Sequence, residues 1–208
     1  WSRREFLTEM VWEPTGMVQH GKAVVMDANA IEHRTDMRPI LRPVAHMESY
    51  PSGFLVLHEE NLTLGRALGV SSKFIYAIHP RTMDYMTSLW RERGRLQIAD
   101  LAVGDNTTIP MDGEDMIGVY LENPDCRVYY LHSLDNGSTV GTSATCAQVT
   151  IGIYAALFTL LSDPMPPRVY FPDDLYDTTY PRVLFSNMRV EHFVFAKPGG
   201  TLALRQYA

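Results

Sequence analysis

The sequence predicts an α+β fold: a mixed, largely antiparallel sheet covered by helices, with one long apolar helix buried in the core. Residues 115–121 and 126–132 are strand-like runs joined by the turn sequence Glu-Asn-Pro-Asp, which predicts a hairpin. Strand-like and helix-like segments alternate elsewhere in the chain. Residues 144–161 form the longest apolar stretch. Polar residues interrupt this stretch, so we interpret it as a buried helix rather than a membrane span.

Local signals place the elements that precede the hairpin. Ser2 and Glu5 form a capping-box pattern that predicts a short helix from there to about Met10. Gly69 and Gly94 each follow a helix-like segment and predict where it ends. β-Branched and alternating apolar runs predict the strands. In chain order these elements are a strand at 22–26, a strand at 53–58, a helix at 62–68, a strand at 73–79 and a helix at 83–93.

After the hairpin, the chain is predicted to continue as the apolar helix, a break and a last strand. Ser143 precedes the helix and is a suitable N-cap. Pro164, Pro166 and Pro167 exclude its continuation, because proline cannot donate a helical hydrogen bond. The β-rich run at 190–196 predicts the final strand.

Composition excludes some function classes. The 208 residues are 46% hydrophobic and 20% charged, which suffices for a packed core. A net charge of −6 disfavours nucleic acid as a partner, because phosphate binding needs a basic surface. Cys126 and Cys146 have no zinc-binding spacing, so we expect no metal site and two reduced, buried thiols in a cytoplasmic protein. The chain contains no glycine-rich motif for nucleotide phosphates.

Four segments within roughly residues 1–176 carry a family resemblance. They are Trp1-Ser2-x-x-x-Phe6-x-x-Glu9, Gly53-Phe54-Leu55-Val56-x-His58-x-Glu60, Tyr76-Ala77-x-His79-Pro80, and Ala144-Thr145-x-x-Gln148-Val149 followed by Pro172-Asp173-Asp174-Leu175. In this order they resemble segments of the bacterial homospermidine synthases, a family within the saccharopine dehydrogenase-like group.

The resemblance implies a domain organisation and an activity. Residues 1–176 would form a substrate-binding and dimerisation domain, and residues 177–208 a C-terminal strand and tail. Enzymes of this family use NAD as a recycled hydride acceptor, bound mainly by a nucleotide-binding domain that we expect elsewhere in the same, longer chain. The resemblance also implies putrescine or another polyamine as substrate, a homodimer, and no membrane partner. The start at Trp1, without an initiator Met or a signal-peptide pattern, suggests a piece of a longer chain.

His58 and Glu60 are the candidate catalytic residues. Hydride can leave an amine carbon only after the ammonium loses a proton, and the pKa of a free amine is about 10.4. The two residues are separated by one position at the end of a predicted strand, so alternation places both on one face. We assign proton transfer to His58 and ammonium anchoring to Glu60. The alternative is a structural pair, with His58 bonded to the backbone and Glu60 capping the next helix.

Five further residues are candidate substrate contacts. Glu9, Trp1 and Trp12 could surround a distal ammonium through charge-assisted hydrogen bonds and cation–π contacts. Tyr76 and His79, on the strand that leads to Pro80, could line the pocket. The alternative is again structural, with the tryptophans packed in the core, the acid solvated and His79 acting as a helix cap.

Thr145 and Gln148 are the candidate cofactor contacts. Both lie in the first turns of the apolar helix, where they could reach the nicotinamide of NAD. The alternative for Gln148 is a buried amide that neighbouring loops satisfy.

Two other functions compete with the polyamine enzyme. The family has a Trp and an acid where this chain has Met17-Val18-Gln19-His20-Gly21, which favours a non-catalytic binding or assembly subunit that kept the substrate-domain fold. The third hypothesis is a saccharopine or carboxynorspermidine-type dehydrogenase. Such substrates carry carboxylates, for which Arg38, Arg42 and Arg81 are available.

Overall fold

A computed structural model of the chain describes residues 2–101 and 113–198. The predicted α+β class is confirmed, and every strand pairing among these residues is antiparallel. The strands form three small sheets rather than one. The chain divides into two compact units, one of residues 2–101 and Val169–Asp174, the other of residues 113–168 and 175–198. The division at residue 176, between a substrate-binding domain and a tail, stays a prediction.

The first unit is built from short helices and strands. In chain order they are α1 (Arg3–Leu7), β1 (Pro14–Gln19), β2 (Lys22–Asn29), β3 (Arg34–Asp36), α2 (Arg38–Leu41), β4 (Ser52–Val56), α3 (Glu59–Leu68), β5 (Phe74–Ala77) and α4 (Pro80–Arg93). A π-helical turn, Thr8–Trp12, follows α1 directly. The Ser2 cap and the two glycine stops are confirmed: the Ser2 side chain accepts a hydrogen bond from the Glu5 N–H, and Gly69 and Gly94 end their helices in the left-handed conformation. The predicted starts at residues 62 and 83 are wrong, because α3 and α4 each begin three residues earlier.

The hairpin of β1 and β2 differs from the sequence prediction, which placed only one strand here. His20 and Gly21 form the turn, with φ angles of 48° and 76°. A two-residue hairpin turn of this kind needs positive φ at both positions, for which Asn, Asp and Gly are the usual residues. Histidine at the first position is a weak signal for such a turn. Pro14, the first residue of β1, is more typical of the end of a helix than of the start of a strand. The hairpin therefore could not be recognised from local pattern.

The core of the first unit lies between β4, the π-helical turn and α4. Phe54, Met10, Met83 and Met86 are almost completely buried in it. β4 is the central strand of its sheet, with β3 and β5 as neighbours. This explains why its apolar run is continuous rather than alternating. Because His58 follows β4 by two residues, the same core fixes the position of the candidate catalytic histidine.

The second unit contains a three-stranded sheet and two helices. Its elements are β6 (Glu114–Glu122), β7 (Cys126–Asp135), α5 (Ala144–Ser162), α6 (Tyr180–Asn187) and β8 (Glu191–Ala196). The sheet order is β6-β7-β8, so the predicted hairpin and last strand are confirmed. α6 was not predicted. Asp163, just after α5, accepts hydrogen bonds from the Thr179 N–H and hydroxyl at 2.6 and 2.5 Å, which ties the end of α5 to the start of α6.

The predicted burial of α5 is wrong. Within the part of the chain that the structure describes, the buried stripe of α5 consists of Ala144, Gln148, Ala155 and Thr159. Its large apolar side chains are mostly exposed, namely Val149, Ile153, Tyr154, Leu157, Phe158, Leu160 and Leu161. The helix carries apolar side chains of its own on all sides, whereas its contacts with α6 and the small sheet cover only one side. Apolar composition therefore does not establish that a partner covers every face.

α5 is also long and apolar enough to cross a membrane, alone among the helices of residues 2–101 and 113–198. An 18-residue segment of this helix has a mean hydropathy of 1.7, and 22% of that segment is buried. Core helices of globular proteins meet the same criteria of length and composition. The expectation that this segment does not span a membrane stays a prediction.

The two cysteines are free, but neither is buried. Cys126 is half-exposed and Cys146, in the first turn of α5, is exposed. Hydrogen bonding to Ser143 holds the pKa of the Cys146 thiol below its ordinary value. The prediction of two buried thiols is wrong because it assumed that the apolar segments around them are covered.

Candidate functional site

His58 lies where β4 is followed by α3. β4 ends at Val56, and His58 has extended backbone angles, φ −101° and ψ 150°, as the residue that precedes the helix. Glu59 and Glu60 are the first two residues of α3, where the helix dipole favours negative charge. The prediction that strand alternation would align His58 and Glu60 is wrong. A strand-to-helix turn brings the two side chains together instead.

The side chains of His58, Glu59 and Glu60 converge. His58 Nδ1 is hydrogen bonded to Glu60 Oε2 and lies 3.3 Å from Glu59 Oε2. The imidazole stacks on Phe74, with ring centroids 4.6 Å apart and an interplanar angle of 21°. The His58 side chain is 21% exposed, whereas those of Glu59 and Glu60 are 66% and 42% exposed. The imidazole is thus held between an aromatic ring and carboxylates that still reach solvent.

The electrostatics of the cluster favour a charged pair. The hydrogen bond to Glu60 raises the pKa of His58 above its ordinary value, and Glu59 and Glu9 add to the rise, although partial burial opposes it. The same hydrogen bond lowers the pKa of Glu60. An ionised Glu60 can only accept, so Nδ1 carries a proton and Nε2 is the nitrogen that would exchange one with a ligand.

Glu9 belongs to the same charged region as His58, whereas the sequence analysis grouped it with Trp1 and Trp12. It lies in the π-helical turn, and burial raises its pKa, with His58 lowering it and Glu59 and Glu13 raising it. These mutual effects place the Glu9 carboxylate within electrostatic reach of His58 and Glu59. A site with several carboxylates around one imidazole attracts cations.

Trp12 lies at the surface. Its side chain is 48% exposed, and with Glu13, Asp27 and Asn29 it lines a small cleft of about 230 Å³ in the first unit. The described lining of this cleft does not include His58. Trp1, which was predicted to contact the ammonium together with Glu9 and Trp12, lies outside the described residues.

Tyr76 and His79 have contacts that point to structural roles. Tyr76, on β5, makes an edge-to-face contact with Phe6, with ring centroids 6.3 Å apart. His79 is the N-cap of α4, and its Nδ1 accepts a hydrogen bond from the Arg81 N–H at 3.3 Å. The alternative weighed for His79, a helix cap, matches this geometry. Neither contact tests whether these residues also meet a substrate.

Thr145 and Gln148 lie in the second unit, on the first turns of α5. The Thr145 hydroxyl donates to Asp115 Oδ2 at 2.5 Å, and Gln148 Nε2 donates to the Asp115 carbonyl oxygen at 3.1 Å. Gln148 Oε1 is buried without a hydrogen-bond partner among residues 2–101 and 113–198. A buried acceptor of this kind suits a donor such as an amide NH₂ group.

The cluster of His58, Glu59 and Glu60 could also coordinate a metal ion. One ligand atom from each of His58, Glu59 and Glu60 lies within 4.8 Å of the other two. An imidazole nitrogen with two carboxylates is a donor set that divalent transition metals accept. The arrangement therefore offers a cation site of either kind, for an ammonium group or for a metal ion.

Glu59 and Phe74 belong to the cluster but were not predicted. Glu59 lies beside both predicted residues, and its position in the first turn of α3 is the signal that could have indicated it. Phe74 reaches His58 because β5 pairs with β4, where Phe74 is opposite Val56. This register between strands that are distant in sequence has no local signal.

Comparisons of the chain with models of known protein families and with curated proteins found no match. The family resemblance described above therefore stays an expectation from the four sequence segments.

Proposed function

We propose that this chain is the substrate-handling portion of an NAD-dependent polyamine enzyme, similar to the homospermidine synthases. In this proposal it transfers an aminobutyl group between putrescine units through an imine intermediate. The supporting observation is the His58–Glu60 hydrogen bond with Glu59 and Glu9 around it. A proton acceptor and several anions in one place suit a primary amine, which must be attracted as an ammonium and then lose a proton.

His58 is the group that moves the proton. Glu60 accepts from Nδ1 and orients the ring, and when His58 is neutral its unprotonated Nε2 would take a proton from the ammonium of putrescine. The free amine can then release hydride from its carbon to give the imine. The nitrogen of a second putrescine adds to the imine carbon, ammonia leaves, and return of the hydride gives homospermidine.

The carboxylates hold the cation while this happens. The charged residues that affect the pKa of His58 are Glu60, Glu59 and Glu9, all negative. A substrate carboxylate would be repelled here, so this arrangement favours a polyamine over a saccharopine or carboxynorspermidine-type substrate.

Bound NAD⁺ would supply the hydride acceptor and return the hydride at the end of the cycle. In this chain, Gln148 Oε1 is a buried acceptor without a hydrogen-bond partner among the described residues, and it would suit the NH₂ of a nicotinamide carboxamide. Thr145 would support it by holding Asp115, which Gln148 also contacts. We propose that most of the cofactor site belongs to a nucleotide-binding domain of the same polypeptide, in a cytoplasmic homodimer.

The test is putrescine binding by calorimetry to the wild-type chain and to Glu60→Gln, at neutral pH. A charge-assisted hydrogen bond contributes about 1.5–3 kcal/mol, so we expect the variant to bind roughly ten- to a hundredfold more weakly. Glu48→Gln is the matched control, since Glu48 is exposed, lies in a loop and is not among the charges that shift the pKa of His58 or Glu60. Equal binding by wild type and Glu60→Gln, or no putrescine binding at all, would contradict the proposal.

An assay for product formation distinguishes a catalytic function from binding of putrescine alone. With a polypeptide that includes the nucleotide-binding domain, and with NAD⁺ and putrescine present, mass spectrometry should detect homospermidine, and His58→Gln should abolish its formation while putrescine still binds. Activity that a chelator removes would instead assign the His58 cluster to a metal ion.

A non-catalytic assembly subunit is the second candidate. It is favoured by the large exposed apolar side chains on α5 and on the sheet of the second unit. Putrescine binding without any NAD⁺-dependent product, in a polypeptide that includes the nucleotide-binding domain, would support this function over the enzyme.

A further inference from the structure

We propose that β6 is a docking edge for a second copy of this chain, paired antiparallel to itself about a two-fold axis at Gly118. The proposal specifies the contact surface of the homodimer proposed above. Its test measures assembly alone, so its failure is distinguishable from failure of the amine function.

β6 is a long edge strand without the usual protection. It spans nine residues, Glu114–Glu122, and pairs with β7 in unbroken register. On its other side no strand is paired with it in the described part of the chain. Edge strands are normally protected by lysine, proline, a bulge or a covering element, and the central run Met-Ile-Gly-Val-Tyr-Leu contains neither lysine nor proline.

The hydrogen bonds at both ends of the β6–β7 hairpin show which backbone groups are unpaired. The Asn123 N–H donates to the Cys126 carbonyl oxygen, and the Asn136 N–H donates to the Gly113 carbonyl oxygen, both at 2.9 Å. Hydrogen-bonded pairs alternate along an antiparallel ladder, so the odd-numbered positions of the first strand face β7. The N–H and C=O groups of the even-numbered residues, Gly118 among them, therefore point outward.

With a two-fold axis at Gly118, these outward N–H and C=O groups would form the hydrogen bonds between the two copies. Gly118 would exchange both backbone hydrogen bonds with its own copy, and Met116 would do so with Tyr120 of the second copy. In the close pairs between them, Ile117 would lie opposite Val119. The side chains of Ile117 and Val119 are 49% and 53% exposed in the single chain, so this pairing removes apolar surface from water.

The charges at the strand ends tolerate this register. Glu114 would lie opposite Glu122 of the second copy, a like-charge pair. Glu122 already contacts Lys197 at 2.8 Å and Arg127 at 3.5 Å, which neutralise it locally. The charged groups of β6 are therefore outside the apolar centre, where the copies would meet most closely.

Amide hydrogen exchange, followed by NMR at several protein concentrations, tests both the dimer and its register. We expect Ile117 and Val119 amides to be protected at all concentrations. Met116, Gly118 and Tyr120 amides should become protected only where light scattering shows a dimer. A monomer at all concentrations, or a dimer in which these three amides exchange freely, overturns the proposal.

Two valine-to-lysine variants localise the contact. Val119→Lys places a charge in the paired centre of β6, whereas Val194→Lys makes the same change on β8, the opposite edge of the sheet. Val194 is also exposed, at 38%. We expect the first to raise the dimer dissociation constant at least tenfold and the second to leave it unchanged, with circular dichroism confirming that both fold. Loss of the dimer in Val194→Lys alone overturns the proposal.

Discussion

Replacing Phe54 tests the claim that the core beneath β4 holds the histidine site in place. Phe54 is completely buried at the centre of the first unit, and β4 leads directly to His58. Truncation of a buried phenylalanine to alanine costs about 3–5 kcal/mol, because apolar contacts are lost and a cavity remains. We therefore expect Phe54→Ala to lower the free energy of unfolding of this unit by about 4 kcal/mol.

Tryptophan fluorescence during urea denaturation is the suitable assay. Trp12 and Trp90 lie in the first unit, and the second unit contains no tryptophan in its sequence, so changes in emission follow the unfolding of the first unit. With a urea dependence of about 2 kcal/mol per molar, a loss of about 4 kcal/mol moves the unfolding midpoint down by roughly 2 M.

Two further variants make this prediction refutable. Phe54→Leu keeps most of the volume and should cost less than about 1.5 kcal/mol, so it remains measurable if the alanine variant is unfolded. Phe185→Ala, on α6 at 60% exposure, is the matched control and should leave the fluorescence transition unchanged. A loss below about 1 kcal/mol for Phe54→Ala would refute the assigned core.

Three other predictions concern single interactions. Because Glu60 raises the pKa of His58, Glu60→Gln should lower that pKa, which NMR titration measures. In the wild type, the pair should stabilise the fold most between about pH 4.5 and 6.5, the ordinary pKa values of the two groups. This stabilisation should be lost as pH rises through the raised pKa of His58 or falls through the lowered pKa of Glu60. Cys146 is exposed with a lowered pKa and should react with iodoacetamide faster than Cys126, a difference that peptide mass spectrometry detects. The Thr15 hydroxyl donates to a carbonyl oxygen of β4 at 2.5 Å in the core, so Thr15→Val should cost about 1–3 kcal/mol in the same urea assay, and a change under about 0.5 kcal/mol would contradict the bond's role.

Local sequence patterns predicted the elements whose causes are local. The Ser2 cap, the Gly94 stop and the turn between β6 and β7 all appear in the structure. Each depends on residues within a few positions of one another, so a single short window contains the whole cause.

The pairing of His58 with Glu60 was predicted, but the way the chain brings them together was not, nor were Glu59 and Phe74. His58 and Glu60 are together, yet a strand-to-helix turn rather than strand alternation joins them. Phe74 reaches the imidazole only through the pairing of β4 with β5. A sequence of alternating apolar residues does not contain the register between two strands, so no local pattern could have indicated this contact.

By itself the sequence determined the α+β class, the hairpin of the second unit and the proximity of Glu60 to His58, because propensities, turn chemistry and adjacency are properties of short segments. Only the tertiary structure decided how much of α5 is covered, that His20 and Gly21 form a hairpin turn, and that β6 is an edge strand of the sheet in the second unit. These depend on how many neighbours each face receives and on strand order, and both are set by contacts between segments that are far apart in the chain.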